Sequence, residues 1–403
     1  MENQEVKEGY KLTEVGVIPE DWEVKSLSSL ATIQRGASPR PINSPVLYDS
    51  TSKVGWVRIS DIANSDGKFL KETTDYLSSK GIAQSRFLPA GSLIMSICAT
   101  VGVPVITKLD SCIHDGFVGF SYLKEINQEF LYYTLKKLES FFRSKSQTGS
   151  QSNLNSDLVR SCNIPLPPLH EQEKIAQVLS DFDRAIAQLD KLISKKRNVK
   201  QGTMQKLLTG KKRLSGFSGE WEIKELGELA YIQRGASPRP INSPVWYDNT
   251  SHVGWVRISD ITESNGITLK YTRDYLSNKG IAASRFLPSG SLIMSICATV
   301  GVPIITSIDT CIHDGFVGFS NLKGIDKVFL YYKIKELEPS FKLRVQTGSQ
   351  SNLNTNIVQD YIINLPNYSE QKAIAQVLSD MDTEIEALEK KRNKYQAIKQ
   401  GMM

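Results

Sequence analysis

Pro167-Pro168-Leu169-His170-Glu171-Gln172-Glu173-Lys174-Ile175-Ala176-Gln177-Val178-Leu179-Ser180-Asp181-Phe182 opens the stretch, running on to Leu208, around which this chain is organised. Pro165, Pro167 and Pro168 end an extended piece, and from Glu171 no Pro or Gly intervenes before Gly202, the punctuation of a long helix. Within it Ile175, Leu179, Phe182, Ile186, Leu189 and Ile193 advance by alternating steps of four and three residues. That is the repeat of a coiled-coil seam rather than of a globular-core stripe. The segment returns from Glu370 to Met403, with Ile374, Leu378, Met381, Ile385 and Leu388 on the same steps. A seam and its match in one chain predict two helices packed together. A helix of about 35 residues spans about 50 Å, so the pair reads as a ruler that holds two domains apart.

The duplication reaches well beyond these helices. From Trp22 onward, adding 199 to a residue number finds its double: Trp22 and Trp221, Ile33 to Pro41 and Ile232 to Pro240, Gly55 to Ile62 and Gly254 to Ile261, Ser92 to Gly102 and Ser291 to Gly301. This is a tandem duplication, not a short-period solenoid. Each copy begins β-rich, with apolar runs at Gly55 to Ile62, Ser92 to Cys98, Val103 to Thr107 and Cys112 to Phe120. Gln128 to Phe142 then changes to helical spacing, and a polar loop from Gln147 to Asn155 leads to the prolines. The expected class is α/β: two globular α/β domains separated by two long helices packed as an antiparallel coiled coil, with internal pseudo-twofold, tandem-repeat symmetry. The expected boundaries are a lead-in arm at 1–20, a first domain at 21–166, a central helical region at 167–210, a second domain at 211–365 and a C-terminal helical region at 366–403. Copy one runs through Leu207-Leu208-Thr209-Gly210 into Lys212-Arg213-Leu214, while copy two stops at Met403; Tyr10-Lys11-Leu12 supplies roughly the equivalent piece at the front. The chain reads as a circle cut once.

Composition narrows the function classes. The 403 residues carry a formal net charge of +6, which permits a polyanionic partner without requiring one. No signal-type apolar run follows Met1 and no stretch of about 18 apolar residues occurs, so a cytoplasmic protein with no membrane contact is expected. Five cysteines with no CxxC spacing give neither a disulfide framework nor a zinc ribbon. No phosphate-binding GxxxxGK[ST] loop, HExxH pair or amino-methyltransferase tetrapeptide is present, so no catalytic and no metal-ligating set is expected. Cys112, His114 and Asp115, doubled by Cys311, His313 and Asp314, could form a Cys/His nucleophile pair or half a metal site; on an alternating strand Cys112 and His114 share a face, and a buried Cys with a hydrogen-bonded His explains them more simply.

What the sequence does supply, twice, is a set of Arg, Ser, Asn, Gln and Thr residues in loops shaped by Gly and Pro. Arg35, Ser38, Arg40, Asn43, Arg58 and Ser60 are doubled by Arg234, Ser237, Arg239, Asn242, Arg257 and Ser259. Gln147, Thr148, Ser150 and Gln151 are doubled by Gln346, Thr347, Ser349 and Gln350. Arg forks pair with guanine, Asn and Gln with adenine, and hydroxyls with phosphate oxygens, so these are the candidate DNA contacts. A twofold pair of readers at fixed separation suits a polymer with twofold symmetry of its own, double-stranded DNA. Lys195-Lys196-Arg197 and Lys390-Lys391-Arg392 read first as ion-pair positions of the coil.

Pro167-Pro168-Leu169 with Glu171-Gln172, Ile175 and Ala176, their doubles Glu370-Gln371, Ile374 and Ala375, Thr148-Gly149-Ser150 before Asn153-Leu154, Thr347-Gly348-Ser349 before Asn352-Leu353, and Leu207-Leu208-Thr209-Gly210 together resemble the specificity (S) subunit of a type I restriction-modification system. The resemblance spans essentially the whole chain. It implies a non-catalytic subunit with two target recognition domains, each reading one half of a bipartite DNA site, and two helical regions that act as spacer. It further implies docking of two modification (methyltransferase) subunits, which bind S-adenosylmethionine and methylate adenine, and of two restriction (translocase and nuclease) subunits that use ATP; neither cofactor binds this chain. In copy two Pro366-Asn367-Tyr368 stands where the proline pair would be, and Ser369 is expected to cap the helix. Family members usually carry two unlike recognition domains, whereas these copies are nearly identical, which predicts a palindromic target. Differences such as Leu47 against Trp246, Lys53 against His252, and Ala63-Asn64-Ser65-Asp66 against Thr262-Glu263-Ser264-Asn265 are expected off the reading surface. The alternatives are a free-standing sequence-specific DNA-binding regulator and, more remotely, a scaffold that binds no nucleic acid.

Overall fold

Leu93–Ser96, buried at every residue, is the strand from which the first sheet grows. It pairs antiparallel with Phe117–Ser121 on one side and Pro104–Thr107 on the other. Thr32–Arg35 and Phe69–Leu70 complete the five strands, the last pair being parallel. Gly55–Val57 and Ser111–Ile113 run parallel at the centre of a four-stranded sheet flanked by Asp75–Tyr76 and Arg86–Leu88. Strands buried on both faces read as unbroken apolar runs, which is why these segments lack alternation.

The computed structural model describes residues 6–63, 65, 67–146, 154–264, 266–347 and 353–403, with the side chains of residues 63 and 347 left aside. The chain divides into two units, Met1–Ala187 with Lys394–Met403, and Gln188–Asn393. The second unit repeats the same five- and four-stranded sheets, centred on Leu292–Ser295 and on Gly254–Val256 beside Thr310–Ile312. Trp56 and Trp255, each with no exposed surface, anchor matching clusters with Leu77 and Cys112, and with Leu276 and Cys311. Fully burying a large apolar side chain contributes about 1.5–3 kcal/mol.

Within the expected N-terminal arm, Tyr10–Thr13 and Gly16–Pro19 form a hairpin. Three expectations need correction. The run from Gly55 is a strand only to Val57; Ile59–Ala63 is a helical turn, because Asp61 accepts the Arg58 backbone N–H at 2.7 Å and bends the chain. Cys112–Phe120 is two strands, Ser111–Ile113 and Phe117–Ser121, so His114 stands beyond the first strand rather than alternating with Cys112. Ser369 is not the cap: Asn367 Oδ1 accepts the Glu370 N–H at 3.0 Å, and Ser369 lies inside the helix.

The long helices are α1, Leu169–Leu207, and α2, Tyr368–Met402. Gly202 lies within α1 rather than ending it. Gln172, 1% exposed, ties the start of α1 to the first globule: its Oε1 accepts Asn127 N–H at 2.8 Å, and its Nε2 donates to Glu125 O at 3.0 Å and Pro167 O at 2.8 Å. Gln371 repeats all three bonds with Asp326, Gly324 and Pro366. Ile175 and Leu179 pack against the first unit's core, and Ile374, Leu378 and Met381 against the second's, so the seam begins inside each globule. Further along, Leu189, Ile193 and Ile385 are buried, and Ile186 and Leu388 half-buried.

Within each unit the two helices run antiparallel. In the second, Asp190 meets Arg392 at 3.3 Å, Lys196 meets Glu384 at 2.6 Å, Arg197 meets Glu389 at 2.5 Å, and Lys200 meets Asp382. In the first, the Phe182 and Tyr395 rings meet edge-on at 5.7 Å and Lys399 pairs with Asp183. The basic runs are therefore largely ion-pair positions, as their spacing predicts.

Candidate nucleic-acid interface

Gly36 begins the candidate loop because nothing larger fits: a Cβ there would lie 2.1 Å from the His114 carbonyl oxygen. Its N–H donates to Phe117 O at 2.9 Å and that of Ala37 to Ile113 O at 3.1 Å, so the loop lies against the ends of two strands. Ser85 Oγ holds Ala37 O at 2.6 Å, and Tyr48 OH holds Ile42 O at 2.6 Å. Gly235, Ser284 and Tyr247 fix the second loop in the same way. Anchored at both ends, each loop presents a preset arrangement of side chains, which lowers the ordering cost of binding.

Asn43, Arg58 and Ser60 come together in the first unit around a cleft of about 360 Å³, with Ile42, Ile59 and His114 as its other walls. Arg58 is braced by Asp75 at 3.0 Å and by Tyr48 OH at 3.3 Å, with its guanidinium 5.9 Å from the Tyr48 ring centre. Arg35 donates from Nε to Asp115 O at 2.6 Å, and Ser38 Oγ accepts the Asp115 N–H at 3.3 Å. Arg40 stands furthest out, its side chain 81% exposed and 4.0 Å from Asp115.

The second unit repeats the bracing of these residues, with a closer grip on its rim carboxylate. Arg257 holds Asp274 at 2.9 Å and Tyr247 OH at 3.2 Å, and Arg234 Nε donates to Asp314 O at 2.7 Å. Ser237 Oγ donates to Asp314 Oδ1 at 2.8 Å, and Arg239, 73% exposed, reaches Asp314 Oδ2 at 3.1 Å. Asn242 is exposed and Ser259 half-buried. Burial pushes the Asp314 pKa up, but the Ser237 hydroxyl, His313, Arg239 and Arg234 outweigh it and hold the carboxyl below its usual value.

His114 and Asp115 are the members that residue-type reasoning undervalued. His114 Nδ1 lies 2.9 Å from both the Gly116 nitrogen and Asp115 Oδ1. Burial lowers the His114 pKa; Asp115 opposes this, and Arg58, Arg35 and Arg40 add to it. The neutral ring accepts the Gly116 N–H at Nδ1 and carries its proton on Nε2. A second proton would turn the Asp115 contact into a charged bond. His313 sits the same way between Gly315 and Asp314, both at 3.0 Å. Their doubling as His-Asp pairs was the available signal.

Of the remaining candidates, Gln147, Thr148, Ser150, Gln151, Ser349 and Gln350, and the side chain of Thr347, lie outside the described residues. Gln346 is exposed near the end of the helix Lys327–Thr347. Cys112 and Cys311 are buried with pKa values pushed up to about 11 by burial, which leaves the thiols un-ionised and poor nucleophiles. Among the described residues no group of three or more His, Cys, Asp or Glu could hold a metal ion, and no helix is long and apolar enough to cross a membrane. One difference between the copies touches the loop: Trp246 Nε1 donates to Pro240 O at 2.9 Å, where the first copy has the buried Leu47.

A family model described as the type I restriction modification DNA specificity domain matches residues 19–196 and again 218–399. The type I restriction enzyme MjaVIII specificity subunit of Methanocaldococcus jannaschii is 26% identical over 415 residues, covering 96% of this chain and 92% of that one. The crystal structure of the S subunit of a type I restriction-modification system from M. genitalium shares the fold, with a TM-score of 0.60 at 14% identity over 94% of each chain. A chain solved in work on complex assembly and conformational transition of the type I R-M system gives 0.61 at 18% identity, over 96% of this chain and 97% of that one.

Proposed function

The chain belongs to the type I restriction-modification DNA specificity family, and on that premise we propose that its two clefts read one and the same DNA half-site, once each, within a palindromic split target. Its role is DNA specificity, and it is not itself catalytic. The observation that supports a shared half-site is the repetition of the reading residues together with their supports. Arg35, Arg40 and Arg58 and their doubles hold the same partner types, and the loops are anchored by the same hydroxyls. A side chain reads a base edge through fixed donor geometry, so equal geometry favours equal bases.

In this reading Arg40 and Arg239, with Asn43 and Asn242, contact base edges. Arg35, Arg58 and their doubles contact phosphates or orient the loop. Helices α1 and α2 set the gap between half-sites, and they carry two modification subunits, which bring S-adenosylmethionine, and two restriction subunits, which bring ATP. The relative named for complex assembly supports partners of this kind without fixing their number.

The test is co-expression of this chain with the methyltransferase subunit encoded beside it, followed by mapping of modified adenines on plasmid DNA. Modification at a palindromic split site is the expected result. Modification at two unlike half-sites would overturn the shared-half-site reading and leave the specificity role intact. Failure to form a complex, with tight site-specific binding by this chain alone, would instead favour a free-standing regulator.

A further inference from the structure

His114 stands in the wall of the first cleft with Asn43 and Ser60, its side chain 29% exposed. Its backbone is held on both sides: the N–H donates to Val57 O at 3.2 Å, and the carbonyl accepts the Phe117 N–H at 3.0 Å. The ring is held as well. Nδ1 accepts the Gly116 N–H at 2.9 Å, and the buried Trp56 ring stands beside it, 5.8 Å between centres. Among the described residues Nε2, at the tip of the ring, meets no hydrogen-bond partner. A neutral ring whose Nδ1 accepts carries its proton on Nε2, so the fold leaves one uncharged donor in the cleft wall.

The second unit fixes His313 by the same bonds, to Val256 O at 3.4 Å, from the Phe316 N–H at 3.0 Å and from the Gly315 N–H at 3.0 Å, with Trp255 at 5.9 Å. A histidine beside a turn is most simply a prop for that turn. A prop, however, needs only the acceptor at Nδ1, which an amide oxygen also supplies, and has no use for a free donor on the opposite side. Asp115 Oδ1 lies 2.9 Å from Nδ1, yet burial, joined by the charges of Arg58, Arg35 and Arg40, opposes the second proton that would bond them. Phosphates bond most strongly to charged donors, whereas a neutral donor of fixed direction suits an acceptor on a base edge.

We propose that His114 and His313 are specificity-determining residues, each donating from Nε2 to an acceptor on a base edge in the major groove and so rejecting cytosine. Guanine, adenine and thymine each present an acceptor there, while cytosine presents the donor of its amino group. Donor against donor leaves two polar groups unpaired in a closed contact. The proposal rests on the reading that the clefts contact bases, and adds the histidines to the arginines and asparagines named for that role.

The experiment uses two substitutions that a prop and a reader rank in opposite order. His114→Asn keeps an acceptor near the Nδ1 position for Gly116 and removes the outer donor; His114→Gln gives up the Gly116 bond and places an amide N–H near the Nε2 position. Each full chain is purified with the methyltransferase subunit, its fold is checked by a melting curve, and bound sequences are selected from a randomised DNA pool. His114→Asn should lose about tenfold in preference at one position of one half-site, with cytosine newly accepted there. His114→Gln should lose less, and His313→Asn should do the same in the other half-site. An Asn variant that keeps the preference, or loses no more of it than the Gln variant, would overturn the proposal in favour of a prop. Equal weakening on every sequence would overturn it in favour of a phosphate contact. Arg40→Ala is selected in parallel: relaxed specificity there with none in His114→Asn removes the histidines alone, and unchanged sequences in both variants remove the reading of bases by the clefts as well.

Discussion

Arg213 grips Glu370 with two parallel bonds, Nε to Oε1 at 2.5 Å and Nη2 to Oε2 at 2.6 Å, and the Glu370 side chain has no exposed surface at all. A carboxylate so placed has given up its water and depends on the fork in front of it. The same pair raises the Arg213 pKa, chiefly through its hydrogen bonds to Glu370.

Arg213→Ala should therefore lower the melting temperature of the chain by several degrees, since an unpaired buried charge remains. Arg213→Met combined with Glu370→Met should recover most of that loss, because the charge and its solvation cost are removed together. Differential scanning calorimetry on the single and double variants decides this; a double variant no better than Arg213→Ala would refute the account.

Gln172 and Gln371 each spend a buried amide on three backbone partners. Replacement by Leu in either copy leaves a buried N–H and two carbonyls unmet, at a cost of about 2 kcal/mol. Urea denaturation of Gln172→Leu and Gln371→Leu should show that loss with an unchanged slope. Shifts within a few tenths of a kcal/mol would mean that water replaces the amide.

The features legible in the sequence were those set by periodicity and repetition. The seam steps from Ile175 to Ile193 announced the long helices, and the offset of 199 announced two like globules. Less legible was whatever depended on contacts between distant residues. Nothing local marks Ile175 and Leu179 as core rather than coil, because one apolar stripe serves both and the globule decides. The turn at Ile59 depends on Asp61, which also accepts the Thr74 N–H at 3.0 Å from well along the chain. The cleft shows the same division. Arg35, Ser38 and Arg40 stood out by type and position, while Tyr48, Asp75 and His114 became part of the site only through the fold.

His114 and His313 predict a pH effect. Burial is the largest cause that depresses both pKa values in the folded chain, against an unfolded value near 6.5. A base whose folded pKa is depressed contributes stability in full above the unfolded value and loses it as pH falls from there toward the folded value. Melting temperature should therefore drop between pH 7 and about pH 5.5. The double variant His114→Asn, His313→Asn should drop less over the same range; an identical slope would exclude these two groups as the source.

Arg40 and Arg239 carry the symmetry argument. Both are largely exposed, at 81% and 73%, and each touches only the rim carboxylate of its own unit among the ion pairs described, at 4.0 and 3.1 Å. Truncation to Ala should leave the melting temperature unchanged while costing about 1–3 kcal/mol of specific DNA binding if the guanidinium reads a base. A phosphate contact would instead weaken specific and non-specific DNA alike and lower the salt dependence. With one half-site read twice, Arg40→Ala and Arg239→Ala should lose equal affinity on a palindromic target, and the double variant should lose the sum, since the two clefts share no contact residues. Binding isotherms recorded with the methyltransferase subunit present measure all three variants. A base change in one half-site should then hurt one cleft only, so Arg40→Ala combined with that change should split by orientation of the DNA no more than Arg239→Ala does. Unequal losses beyond a few tenths of a kcal/mol on the palindrome would mean that the Trp246 contact with Pro240 has retuned the second loop, and the two clefts would then read different bases.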